Sequence, residues 1–176
     1  MKNTNQFFII FSLFFLSVVL SGCPFTSSVP ITDKGIDLPK KYIGKWVYGD
    51  DLSKKNSNYF ELKSKGKNNF LLTEFRFIDA EERYQKEEFS GFFSKVENSF
   101  FMNIKYEGGN DDYIFDGYAI LKIQDFGPGI RVQSVTENVN EFFTNSKELF
   151  NYIKKHIENE LFYEEETFYL VKLPNT

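Results

Sequence analysis

Cysteine, histidine and tryptophan are each present once among the 176 residues. With Cys23 alone, no internal disulfide can form. With His156 as the only imidazole, neither a Cys/His zinc set nor a Cys–His nucleophilic pair has its members. No G-x-S-x-G or Walker-type sequence occurs. A basic excess is also missing: 21 Lys and Arg face 25 Asp and Glu, for a formal charge of −4. That balance argues against nucleic acid and against electrostatic docking on anionic lipid. Beyond Leu20 there is no long apolar run, so no later segment is expected to cross a bilayer.

The apolar run that does exist lies at the start. Lys2 and the amino terminus form a basic region, and Phe7 to Leu20 are apolar except for Ser12 and Ser17. The run is short for a spanning helix, which needs roughly 20 apolar residues. Ser21 and Gly22 are small and precede Cys23. Residues 1–22 therefore read as an export signal cut between Gly22 and Cys23. Removing them takes away one positive charge, Lys2, so the remainder stays acidic.

Leu20-Ser21-Gly22-Cys23 resembles the lipobox of bacterial lipoproteins. The resemblance implies a diacylglyceryl thioether on Cys23, cleavage before it and acylation of the new amino terminus. The mature chain would then hold to a membrane through acyl chains. Two or more chains give stable attachment, at ~0.8 kcal/mol per buried methylene. In double-membrane bacteria the family's sorting depends partly on the residue after the cysteine, and Pro24 in that place implies the outer membrane over the inner.

Residues 23–37 carry Pro24, Thr26, Ser27, Ser28, Pro30, Thr32, Asp33 and Gly35 with little apolar periodicity. They read as a flexible, poorly ordered tether. Residues 38–176 read as a single β-rich domain. Its composition is aromatic, with 22 Phe and 10 Tyr in the whole chain, five of the Phe lying in the signal. Aromatic residues favour strands and fill cores or line apolar pockets.

Strands are expected at 43–48, 59–63, 69–77, 84–95, 100–107, 113–123, 130–135 and 167–173. The clearest alternation sets Phe100, Met102, Ile104 and Tyr106 against Asn103, Lys105 and Glu107. Ser64 to Asn68, Glu97-Asn98, Gly108 to Asn110 and Gly127 to Gly129 supply turns. Then the period changes: Leu149, Ile153 and Ile157 recur every four residues, on one helix face. Asn145 can cap that helix, with Glu148 three residues on. A short helical turn over 139–143 is expected before it. Glu164 to Glu166 read as a solvated link into the last strand.

The sum is about seven or eight antiparallel strands and one helix before the last of them. A sheet of this kind closes or covers its edges. A small antiparallel β-barrel with the helix outside is expected; an open antiparallel sheet backed by the helix is the alternative. Gly44-Lys45-Trp46 on the first strand resembles the G-x-W of lipocalins and related calycin barrels. Asp112-Tyr113 is similar to that family's T-D-Y, without the Thr. The resemblance implies that Gly44 and Trp46 close one barrel end and that Arg131 lies across the Trp46 ring. It also implies a small apolar ligand in the interior.

No residue is singled out as catalytic, and no metal or cofactor is expected. Asp111, Asp112 and Asp116 lack the spacing of a calcium loop. His156, between Lys155 and Ile157, reads as a solvated side chain. Glu61, Glu74 and Asp116 lie in or beside strands, on either side of which a carboxylate can point. Two functions remain: a lipid-anchored barrel that binds a small apolar ligand or lipid without catalysis, or a lipoprotein that docks on an envelope protein complex.

Overall fold

The computed structural model describes residues 25–108, 117–136, 139 and 141–174. Cys23, Gly22, Asp111, Asp112, Tyr113 and Asp116 lie outside them. The strands are β1 Thr26–Ser27, β2 Gly44–Tyr48, β3 Tyr59–Ser64, β4 Asn69–Ile78, β5 Arg83–Val96, β6 Ser99–Gly108, β7 Tyr118–Phe126, β8 Gly129–Val135 and β9 Tyr163–Lys172. One α-helix, α1, spans Ser146–His156.

β2 to β9 form a closed antiparallel barrel. Each strand pairs with the next in sequence from β2 to β9, and β2 pairs with β9 to close the ring. Closure removes the sheet edges, which is why the barrel rather than the open sheet forms. The helix stands before the last strand, as its four-residue apolar spacing predicts. Asn145 caps it by accepting the Glu148 N–H at 3.1 Å.

The strand alternation sorts the side chains. Trp46, Leu62, Phe70, Phe89, Phe93, Met102, Ile104, Ile123, Ile130 and Leu170 pack in one cluster inside the barrel. Gly91 lies on this inward face of β5. A Cβ there would come within 2.4 Å of the Asn103 carbonyl and 2.7 Å of the Phe70 ring. Only glycine lets that ring lie across the wall. A second cluster lies outside, where Leu149, Ile153 and Ile157 of the helix side press on Val96, Phe101 and Ile120. Lys122 is buried at this outer seam. Its Nζ donates to the Ile157 carbonyl at 3.0 Å and lies 4.5 Å from the Tyr163 ring centroid. A cation suits a helix C-terminus, while desolvation holds Lys122 below the ordinary lysine pKa.

Several expectations are corrected. The described part of the tether, residues 25–37, is no free spacer but a strap bound to the barrel. β1 pairs with Ala119 and Tyr118 of β7, and Ile31 is fully buried. The strap's polar groups find wall partners: the Ile31 N–H donates to Asn103 Oδ1 at 2.7 Å, and Thr32 Oγ1 lies 2.6 Å from Ser94 Oγ. The helical turn over 139–143 does not form at its described positions; Val139 and Phe143 are buried pins under the helix instead. Glu164 to Glu166 belong to β9, which pairs with β8 from Tyr163 onward. His156 is half-buried, its ring 4.6 Å from Tyr152 and 5.7 Å from Phe162 by centroids. Aromatic packing, not charge, decides its position.

Candidate functional site in the barrel interior

The two barrel ends differ. One carries the short turns 65–68, 97–98 and 127–128 and is floored by a 3-10 turn, Lys40–Tyr42. The other carries the longer connections 49–58 and 136–162 and forms the mouth.

The floor is solid. The Tyr42 ring stacks on Phe93 at 5.2 Å and meets Phe100 edge-on at 6.2 Å. Burial pushes the Tyr42 phenol up, partly countered by Lys41. Lys41 Nζ bridges to Asp125 at 2.5 Å beneath it. Trp46 Nε1 donates to the Tyr42 carbonyl at 2.9 Å, tying β2 to the floor. Gly44 has φ +132°, a backbone conformation open to glycine at little cost, where the chain leaves the floor for β2.

Arg131 is not the residue over Trp46. Ile130 and Val132 point inward, so Arg131 between them points out, and its guanidinium lies 4.8 Å from the Phe126 ring. The cation over Trp46 is Lys172, whose Nζ is 5.6 Å from that ring and donates to the Lys41 carbonyl at 3.0 Å. Lys172 faces Trp46 directly across the β2–β9 closure. Period-two counting from Leu170 already puts Lys172 inward.

Above the floor the inward-facing side chains are less completely buried. Tyr48, Phe60, Leu72, Leu121 and Phe168 line the interior, yet each stays only half-buried. Inward-facing apolar groups that keep accessible surface in a closed barrel mark a space that solvent reaches. Tyr48 joins Phe60 and Phe168 by edge contacts at 5.5 and 5.8 Å. This wall offers flat apolar faces to a guest.

A polar group stands at the mouth side of this space. Glu87 is 1% exposed. Its carboxylate accepts from Tyr106 Oη at 2.9 Å and from Gln85 Nε2 at 3.0 Å. Glu74 faces it across the β4–β5 ladder and lies 3.7 Å from the Arg76 guanidinium. Of the carboxylates singled out in sequence, Glu74 thus points in, and Glu61 points out to Lys63 at 2.8 Å. Sequence reading missed Glu87, although it shares the parity of Phe89 and Phe93 on one strand. Both oxygens of the buried Glu87 are thus taken up by the wall, where the carboxylate ties β5 to β6.

The outer wall carries two other features. A groove of about 840 Å³ runs beside the helix end, lined by Lys122, Arg131, Tyr163 and several glutamates. Its cations already serve the fold, one on the helix end and one on Phe126. On β3 to β5, Tyr59 stacks on Phe75 at 4.4 Å, with Tyr84 and Phe77 beside them. Among the described residues, no cluster of three or more His, Cys, Asp or Glu is placed to hold a metal ion. Nor is any helix there long and apolar enough to cross a membrane.

The chain matches no family model, no curated protein and no solved structure. The interior geometry therefore stands as the ground for a functional reading.

Proposed function

We propose that this is a lipid-anchored envelope protein whose barrel binds a small apolar ligand or lipid without catalysis. The observation that carries the reading is the half-buried aromatic and aliphatic wall above a sealed floor, with Tyr48, Phe60, Leu72, Leu121 and Phe168 around the space. Those groups keep accessible surface on the inner side of the wall, where an apolar guest would cover them. The closed eight-stranded ring, with a helix before the last strand, also supports the lipocalin-like reading.

Attachment rests on Leu20-Ser21-Gly22-Cys23. In this reading acyl chains on Cys23 hold the domain at the outer membrane, and the acidic balance of the chain leaves no part for surface charge. Tritiated palmitate supplied to cells should label the wild type and not Cys23→Ser, and the variant should run larger on a gel because its signal stays uncut. An unlabelled wild type would refute the anchor.

The outer aromatic row at Tyr59, Phe75 and Tyr84 favours a second reading, docking on an envelope protein complex. Crosslinking from introduced residues on β3 and β4 in intact cells would give a discrete partner in that case.

A further inference from the structure

The strap changes how the protein can sit on its membrane. A free tether of about fifteen residues would let the domain tumble tens of ångströms from the bilayer. Here the chain is bound to the barrel from Phe25 onward. Phe25 is buried against Phe143, its ring 6.3 Å away, and its N–H reaches the Val135 carbonyl at 3.3 Å. Only Pro24 separates Phe25 from Cys23. Two residues reach at most about 7 Å between Cα atoms, so the acylated sulfur stays close to this one part of the surface.

That part of the surface carries the two most exposed large apolar side chains among those described. Phe142, next to Phe143, is 81% exposed, and Leu161, next to Phe162, is 84% exposed. Both belong to the neighbourhood of Phe25. Ser28 Oγ donates to the Phe143 carbonyl at 3.1 Å, and the Thr136 N–H, beside Val135, donates to the Phe162 carbonyl at 3.0 Å. Neither side chain packs into the fold. Glu141 and Glu160 stand beside them in sequence and are exposed, so an anionic surface would repel this patch. An uncharged lipid interface would accept it: each fully buried side chain of this size contributes by leaving water.

We propose that the protein docks on the bilayer in one fixed orientation, with Phe142 and Leu161 inserted into the lipid interface beside the acylated Cys23. This rests on the lipid-anchor reading above and goes beyond it. β1 lies along the mouth end of β7, and Val135 ends β8 at the same end. The mouth of the barrel is therefore turned toward the bilayer, and the floor with Phe126 away from it. A guest that partitions into lipid would exchange between bilayer and barrel without crossing bulk water.

The test uses the full acylated protein on phosphatidylcholine vesicles. Acylation blocks the thiol of Cys23, so a single introduced cysteine takes an environment-sensitive fluorophore. Phe142→Cys and Leu161→Cys should be quenched several-fold more by brominated phosphatidylcholine than Phe126→Cys at the floor. Phe142 and Leu161 are exposed, and circular dichroism checks that Phe126→Cys, which loses ring contacts to Arg131 and Tyr169, keeps the barrel. If the protein floats with the vesicles but the three sites quench alike, the orientation is refuted and the anchor stands. If the chain from Pro24 onward, made without the signal and Cys23, floats as well as the acylated protein, the anchor fails and the orientation with it.

Discussion

The backbone N–H of Ile31 donates to the side-chain carbonyl of Asn103 at 2.7 Å, across 72 residues of sequence. Asn103 is fully buried, and its Nδ2 donates in turn to Ser94 Oγ at 2.9 Å and to the Phe92 carbonyl at 3.3 Å. One amide on the outer wall of β6 thus fastens the strap. Asn103→Ala should cost about 1–3 kcal/mol, because it leaves the Ile31 N–H buried without its partner. Denaturant unfolding reads the loss. Proteolytic nicking within residues 25–37 should rise in parallel, and a variant with wild-type midpoint and protease resistance would show the strap to be held otherwise.

Gly91 makes a separate demand. Its neighbours leave no room for a methyl group, since both the Asn103 carbonyl and the Phe70 ring lie inside 3 Å of its place. Gly91→Ala should destabilise by about 1–3 kcal/mol through displaced packing. Gly91→Ala with Phe70→Leu should recover part of that loss in a double-mutant cycle.

The seam between helix and barrel gives a pH prediction. The Tyr163 hydroxyl donates to the Ile157 carbonyl at 3.0 Å. Burial, with the Glu158 charge adding to it, pushes its phenol well above the ordinary value of 10.0. An unfolded chain would ionise there while the folded one would not. The unfolded state then binds fewer protons, so stability falls as pH rises past about 10. Lys122 works in the opposite sense. Desolvation holds its pKa below 10.5, so the unfolded lysine keeps a proton that the folded one has lost, and stability rises with pH toward that value. Urea midpoints between pH ~8 and ~11 test both. Tyr163→Phe should flatten the alkaline fall, and Lys122→Met should remove the rise before it.

The helix cap is a smaller, cleaner test. Asn145→Ala should cost about 1 kcal/mol by leaving the Glu148 N–H without its acceptor. Glu148 is held below the usual carboxylate range first by Asn145 and then by Thr144. Its contribution is therefore present above about pH 4.5 and disappears as pH falls through the lowered value. Glu148→Gln should lose that acid dependence while leaving the neutral-pH helix in place.

Most of the barrel was legible because its strands alternate. Phe100, Met102, Ile104 and Tyr106 announce β6, and the asparagine cap with its apolar spacing announces α1. The strap was not legible. Phe25 and Ile31 are isolated apolar residues among Ser, Thr and Pro, and no local period shows that a distant Asn103 and Ser94 await them. Arg131 was misplaced because the resemblance outweighed the parity of Ile130 and Val132, which points it outward. The same parity reads Lys172 and Glu87 as inward. Those two could have been found by counting from Leu170 and Phe89. What no count reveals is how much room the interior leaves, since that depends on how the Tyr42 floor and the strand tilt divide the space.

Native mass spectrometry of residues 24–176, produced without the signal and purified from cells without detergent, tests the central claim most directly. The predicted spectrum shows the chain with one small apolar molecule bound. Leu121→Trp, which enlarges an inward-facing side chain of the interior wall, should show the bare chain. A wild-type interior that yields only the bare mass, and that takes up no added fatty acid, would contradict the account.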